Sequence, residues 1–181
     1  KKACDDIKIV ATDMHDDYGA SVKEHCKRAT HVWDRFHVMQ AFDKVLNDER
    51  ITLHGGAEKG SEEKYLSRGK FRFNFTKKAS RRTEEEQIHI DDGVKENEQF
   101  SALEIIKEGM HEFFRAQTAE EAREIFDTIG GWIVQKDFRL LWKWRNYMEG
   151  RWDNLKNYFN ARYTTALSEG MNNVIKTIKR Q

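Results

Sequence analysis

Proline is absent from all 181 residues, where average usage of about 5% would supply roughly nine. That absence fits long, uninterrupted helices, because proline removes a backbone donor and clashes with the preceding turn. Cysteine occurs twice, as Cys4 and Cys26, which excludes a disulfide framework and points to a reducing, cytoplasmic setting. No apolar run approaches the roughly 18 residues a membrane span needs, and no charged segment followed by an apolar core opens the chain, so no signal peptide is expected. A bulk charge of one sign is also missing: 32 Lys and Arg face 31 Asp and Glu, for a formal net charge of +1. Any contact with nucleic acid must therefore come from a local patch. What is abundant is charge of both signs, 35% of residues, against roughly 25% in an average domain.

The length is that of one domain with a real core. Near the start, "IKIVATD" (7–13) reads as a short strand, "YGASVKEHCKR" as a helix and "THVWD" as a second strand, a β-α-β order. From Arg35, the apolar residues Phe36, Val38, Met39, Phe42, Val45 and Leu46 recur at spacings of three and four. They lay a stripe along a helix that ends near Gly55 and Gly56. Residues 57–97 are rich in Lys, Glu, Ser and Gly, broken by "KFRFNF", and read as a connection or helix pair of open form. Beyond them "ENEQFSALEIIKEGMHEFFRA" is amphipathic, and "TAEEAREIFDTIGGWI" begins with Thr118 and Glu121 at the capping-box spacing. "FRLLWKWRNYMEGRWDNLKNYFNARY" is too aromatic for an exposed helix and should pack a helical subdomain. Its tryptophans read as core rather than as platforms for stacked bases. In "SEGMNNVIKTIKRQ", Ser168 is placed like a cap, and one helical face runs Glu169, Asn172 or Asn173, Lys176 and Arg180.

Several residues here bear chemistry, and each has a bland reading beside the sharp one. Asp13 closes a strand, where carboxylates serve equally as helix caps and as metal ligands. Glu169 in a first helical turn is favoured by the helix dipole without any further role. His15, His25, His31 and His37 gather in one region with Cys26. They are spread over strand, helix and junction and form no tight ligand pair, so structural zinc is not expected.

The run "VATDMHDDYGASVKEHCKRATHVWDRFHVMQAFDKVLNDER", followed far downstream by "RYTTALSEGMNNVIKTIKR", resembles the DDE insertion-sequence transposases of the ISL-three group. Three blocks carry the resemblance: T-D-M…Y, D-R-F-H and E-G-x-N…I-K…K-R, in that order, with a helical insert between the second and third. It extends, with weaker matching through the middle, over nearly the whole chain.

The resemblance implies a ribonuclease H-like catalytic core in which three carboxylates hold two divalent ions. The ions, Mg²⁺ or Mn²⁺, activate water and then a DNA 3′-hydroxyl for attack on a phosphodiester. A pair of ions roughly 3.5–4 Å apart stabilises both the entering and the leaving oxygen. Asp13 matches the family's second acid and Glu169 the third, so both are expected to be catalytic and to ligate metal. The first acid is expected on an upstream strand that this sequence does not contain, so the chain as it stands is expected to be catalytically incompetent. Strand edges left without partners should also favour pairing with another chain.

The implied fold is α/β tending to mainly α. Residues 1–56 and 160–181 would be a partial ribonuclease H-like core with two recognisable strands, and 57–159 a helical insertion. Asp34 and His37 would lie at the active-site edge as accessory residues, while Phe36 and Val38 would anchor the helix beneath. Asp34 has two readings, metal or DNA positioning and helix capping, and capping is preferred. Asn172, Asn173, Lys176, Lys179 and Arg180 would bind DNA beside Glu169. The implied partners are transposon-end DNA and further copies of the chain, with no membrane. The alternative is a non-enzymatic helical DNA-binding or protein-interaction module in which Asp13 and Glu169 only cap helices.

Overall fold

The computed structural model describes residues 2–66 and 68–162. The elements run α1 (Lys2–Asp5), β1 (Ile9–Thr12), α2 (Asp16–His25), β2 (Thr30–Trp33), α3 (Arg35–His54), α4 (Glu62–Leu66) and α5 (Gly69–Thr76). A 3-10 turn (Ala79–Arg81) leads into α6 (Glu84–Glu96), α7 (Glu98–Phe113), α8 (Ala119–Gln135), α9 (Arg139–Glu149) and α10 (Trp152–Ala161). The helix expected to follow Ser168 lies outside the described residues. Among those residues no helix is long and apolar enough to cross a membrane.

Two compact units divide the chain. Unit 1 takes the described residues up to Met39 and from Arg151 onward, and unit 2 is Gln40–Gly150. In unit 1 the expected β-α-β order is present, and β1 and β2 pair in parallel from Ile9 opposite Thr30 to Thr12 opposite Trp33. Parallel strands need a crossover, which α2 supplies. Its acidic first turn, Asp16 and Asp17, and its basic last turn, Lys23 and His25, both complement the helix dipole. Val32 and Trp33 are buried, and α10 returns to pack on β2, contributing buried Leu155, Tyr158 and Phe159. Phe36 departs from the sequence expectation. It is 57% exposed while Val38 is fully buried, because Phe36 sits in the first turn of α3, about 200° around the helix from Val38.

Unit 2 is all helix. Residues 57–97, whose form was open in the sequence, hold α4, α5, the 3-10 turn and α6. Their core contribution is Leu66, Phe71, Phe75 and Ile90. Through unit 2 runs α7, burying Phe100, Leu103, Ile106, Met110 and Phe113 on one side. It packs on α8, which buries Ala122, Phe126, Ile129 and Ile133. Gly109 permits that approach, since a Cβ there would stand 3.0 Å from Ile129 Cγ1. Trp144 is buried with its ring centroid 5.1 Å from that of Phe42, as expected of a core tryptophan, whereas Trp142 is 41% exposed. Local chemistry sets the helix starts: Thr118 Oγ1 accepts the Glu121 amide at 3.1 Å, Asn97 Oδ1 accepts that of Phe100 at 2.8 Å, and Thr83 with Glu86 forms a full capping box.

Asp43 is a weak point of this unit. Its Oδ1 is buried without a hydrogen-bond partner among the described residues. Burial pushes the carboxyl up to about 6 from 3.8, against a smaller opposing effect of the Lys107 charge. The folded state therefore prefers the protonated acid, and its cost grows as pH rises from 3.8 to about 6. Asp43→Asn is expected to stabilise unit 2 by about 1–2 kcal/mol at neutral pH, after discounting a two-unit shift for partial solvation. The gain should vanish below about pH 4, which urea unfolding at several pH values would check.

Candidate functional site

Parallel pairing places the carboxyl ends of β1 and β2 on one edge of the sheet. In open α/β sheets that edge is where ligands bind. Asp13 and Asp34 follow the last register pair directly, and the Asp34 amide donates to the Thr12 carbonyl at 2.8 Å, carrying the ladder one residue further. Asp34 is fully buried. Its Oδ1 accepts the Phe36 amide at 2.6 Å and its carbonyl accepts the Val38 amide at 3.1 Å, so it is the N-cap of α3. Asp13 is half-buried. One carboxylate oxygen accepts the His15 amide at 3.1 Å, closing the turn into α2, and the other is committed to no described residue. His37 is half-buried, with its ring edge-on to Phe36 at 5.5 Å.

A chain of hydrogen bonds that motif reading did not find reaches this edge from α10. Asn154 Nδ2 lies 2.8 Å from His31 Nδ1, His31 Nε2 lies 2.7 Å from Thr12 Oγ1, and Thr12 Oγ1 donates to the Asp13 carbonyl at 2.7 Å. Only one proton arrangement satisfies every link. The amide donates to Nδ1, Nε2–H donates to the hydroxyl, and the hydroxyl passes its own proton to the carbonyl, which requires a neutral imidazole. Burial, and secondarily the Lys23 charge, hold the ring below its ordinary value of 6.5. Asn157 Nδ2 also donates to the His31 carbonyl at 2.9 Å. Arg151, just ahead of α10, grips both carboxylate oxygens of Asp16 at 3.1 Å. Two amides three residues apart on α10 look like any solvated face in sequence. Their partner is more than 120 positions away, so no local pattern marks them.

Glu169, Asn172, Asn173, Lys176, Lys179 and Arg180 lie outside the described residues. Among the described ones, no group of three or more His, Cys, Asp or Glu could hold a metal ion. The donor type at Asp13 nevertheless fits a hard divalent cation: a carboxylate at a strand end with one oxygen uncommitted among the described residues.

The family model for DDE transposases of the ISL-three group, described as "Transposase", matches residues 1–181. No curated protein and no solved structure matches the chain. The chain belongs to this transposase family. Membership implies transposon-end DNA as partner, and the family generally uses a divalent metal.

Proposed function

We propose that this chain contributes part of a ribonuclease H-like catalytic core for metal-dependent DNA strand cleavage and transfer. The core would comprise residues 1–56 and 160–181, with 57–159 as a helical insertion. The observation that carries this reading is Asp13, at the carboxyl end of a parallel strand with one carboxylate oxygen left open among the described residues. Asp13 and Glu169 would serve as two of the carboxylates that hold Mg²⁺ or Mn²⁺, and such ions supply Lewis acidity for phosphodiester attack when bound. The protein's own work at this edge is positioning. Thr12 and His31 hold the Asp13 carbonyl, Asp34 caps α3 and orients the junction that carries His37, and the lysines and arginine after Glu169 would contact DNA phosphates.

The test uses full-length transposase carrying Asp13→Asn or Glu169→Gln. Strand transfer is expected to fall at least about a hundredfold, the scale of losing one charge-stabilising group, while transposon-end binding persists. Undiminished transfer in both variants would overturn the catalytic reading. The turn that Asp13 closes through His15 favours the second reading, a non-enzymatic DNA-binding or interaction module. In that case the acids are replaceable, and Lys176 and Arg180 are not.

A further inference from the structure

Residues 64–82 hold eight lysines and arginines and no acid, in a chain whose formal net charge is only +1. The fold uses part of this charge internally. Arg82 binds Glu104 at 2.7 Å together with the carbonyls of Asn74 and Phe75, Lys77 pairs with Glu86 at 2.6 Å, Lys78 lies 3.9 Å from Glu112, and Lys64 bonds the Gly55 carbonyl. Arg68, Arg72 and Arg81 are exposed, and no side-chain partner holds them among the described residues. The charge of Arg72 is felt as far as Arg50, whose guanidinium is lowered to about 10 by burial first and by Arg72 second. The fold thus keeps like charges close and leaves the outer ones uncompensated.

The same stretch carries an exposed aromatic. Phe73 is 75% exposed, while Phe71 and Phe75 on the same helix are 1% and 0% exposed. Two residues' rotation sets Phe73 on the opposite face of α5 from these two. Exposed guanidinium groups and an exposed phenyl ring within one short stretch are the chemistry of nucleic-acid contact, with phosphates on the arginines and a base stacked on the ring. A lipid surface fits less well, because α5 turns its apolar stripe into unit 2 and leaves a single phenyl outside.

We propose that Arg68, Arg72, Phe73 and Arg81 form a DNA-binding surface on unit 2, in addition to the residues that follow Glu169 in the sequence. The proposal rests on the transposase reading for the identity of the polyanion, and no catalytic residue takes part in it.

The experiment is fluorescence anisotropy of the chain with labelled single-stranded and duplex DNA over a salt series. An Arg68→Ala, Arg72→Ala, Arg81→Ala triple variant should bind roughly 10–100-fold more weakly near 0.1 M salt, and its log–log salt slope should fall by about 2–3, close to one for each phosphate no longer neutralised. Exchange of the three arginines for lysine should retain the slope. Phe73→Ala should leave the slope unchanged and weaken single-strand binding about 5–100-fold. All four side chains are exposed, so circular dichroism melting should match the parent. Unchanged binding in the triple variant overturns this surface and leaves the transposase reading standing. Absence of DNA binding by the parent chain at low salt overturns both the surface and DNA as its partner. Capture by phosphatidylserine-containing vesicles, with the same arginine dependence and displacement of DNA, overturns the proposal in favour of a membrane.

Discussion

Exchange of Lys107 for methionine is expected to destabilise unit 2 by about 3–5 kcal/mol, the scale of breaking a buried ion pair by removing one partner. Lys107 is fully buried on α7. Its Nζ donates to the carbonyls of Phe75 at 2.9 Å and Lys77 at 3.1 Å, and to both oxygens of Glu104 at 2.9–3.0 Å. Glu108 stands 3.0 Å away. Phe75 and Lys77 belong to the end of α5, whose last carbonyls have no partner within their own helix. Lys107 thus caps one helix from another, and its cation also lies 5.4 Å from the Phe75 ring centroid. Methionine nearly preserves the volume, so the loss reports charge and donors rather than a cavity. Burial holds the Lys107 ammonium below its ordinary value, and relief of that cost on removal pulls the expectation toward the lower end. Urea unfolding measures it. A loss under about 1 kcal/mol would mean that Arg82 and Glu104 hold this junction alone.

The second large effect is expected at Glu49, where alanine should cost about 2–4 kcal/mol through two orphaned amides and a lost charge. Glu49 is 3% exposed, and its Oε2 accepts the amides of Leu140 at 2.7 Å and Leu141 at 2.9 Å. Those residues open α9, and Phe138 at its N-cap offers no side-chain acceptor. A carboxylate from α3 fills that role, in the place where a negative charge best meets the helix dipole. Glu49→Gln keeps an acceptor and loses the charge, so roughly half the cost should remain. Hydrogen exchange at the Leu140 and Leu141 amides gives an independent check. Unaltered protection in Glu49→Ala would sink the cap.

Periodicity made much of this fold legible. The β-α-β opening, the stripe from Val38 to Leu46, the amphipathic α7 and α8 and the Thr118 cap all express local rules. The 57–97 stretch was obscured because its few apolar side chains are diluted by charge. In "KFRFNF" the phenylalanines alternate, which reveals no helical stripe, yet Phe71 and Phe75 share one face of α5 and only Phe73 is turned out. Glu49, Arg50 and Lys107 were hidden differently. A buried ion within "NDERIT" or "IIKEG" is written with the same letters as a solvated one. At the sheet edge, the acids at the strand ends were visible from motif spacing. The amides that support His31 were not, since only the return of α10 brings them there.

That return gives the protein an order of assembly. His31 is synthesised early, and Asn154 and Asn157 reach it only after all of Gln40–Gly150 has emerged, an interval of roughly 5–20 s at ordinary elongation rates. Unit 2 is contiguous and complete before α10 exists, so it is free to fold first and shorten the effective loop that unit 1 must close. During that interval the parallel strands lack the helix that packs on β2, so a chain stalled or cut within unit 2 would present an uncovered sheet to chaperones and proteases.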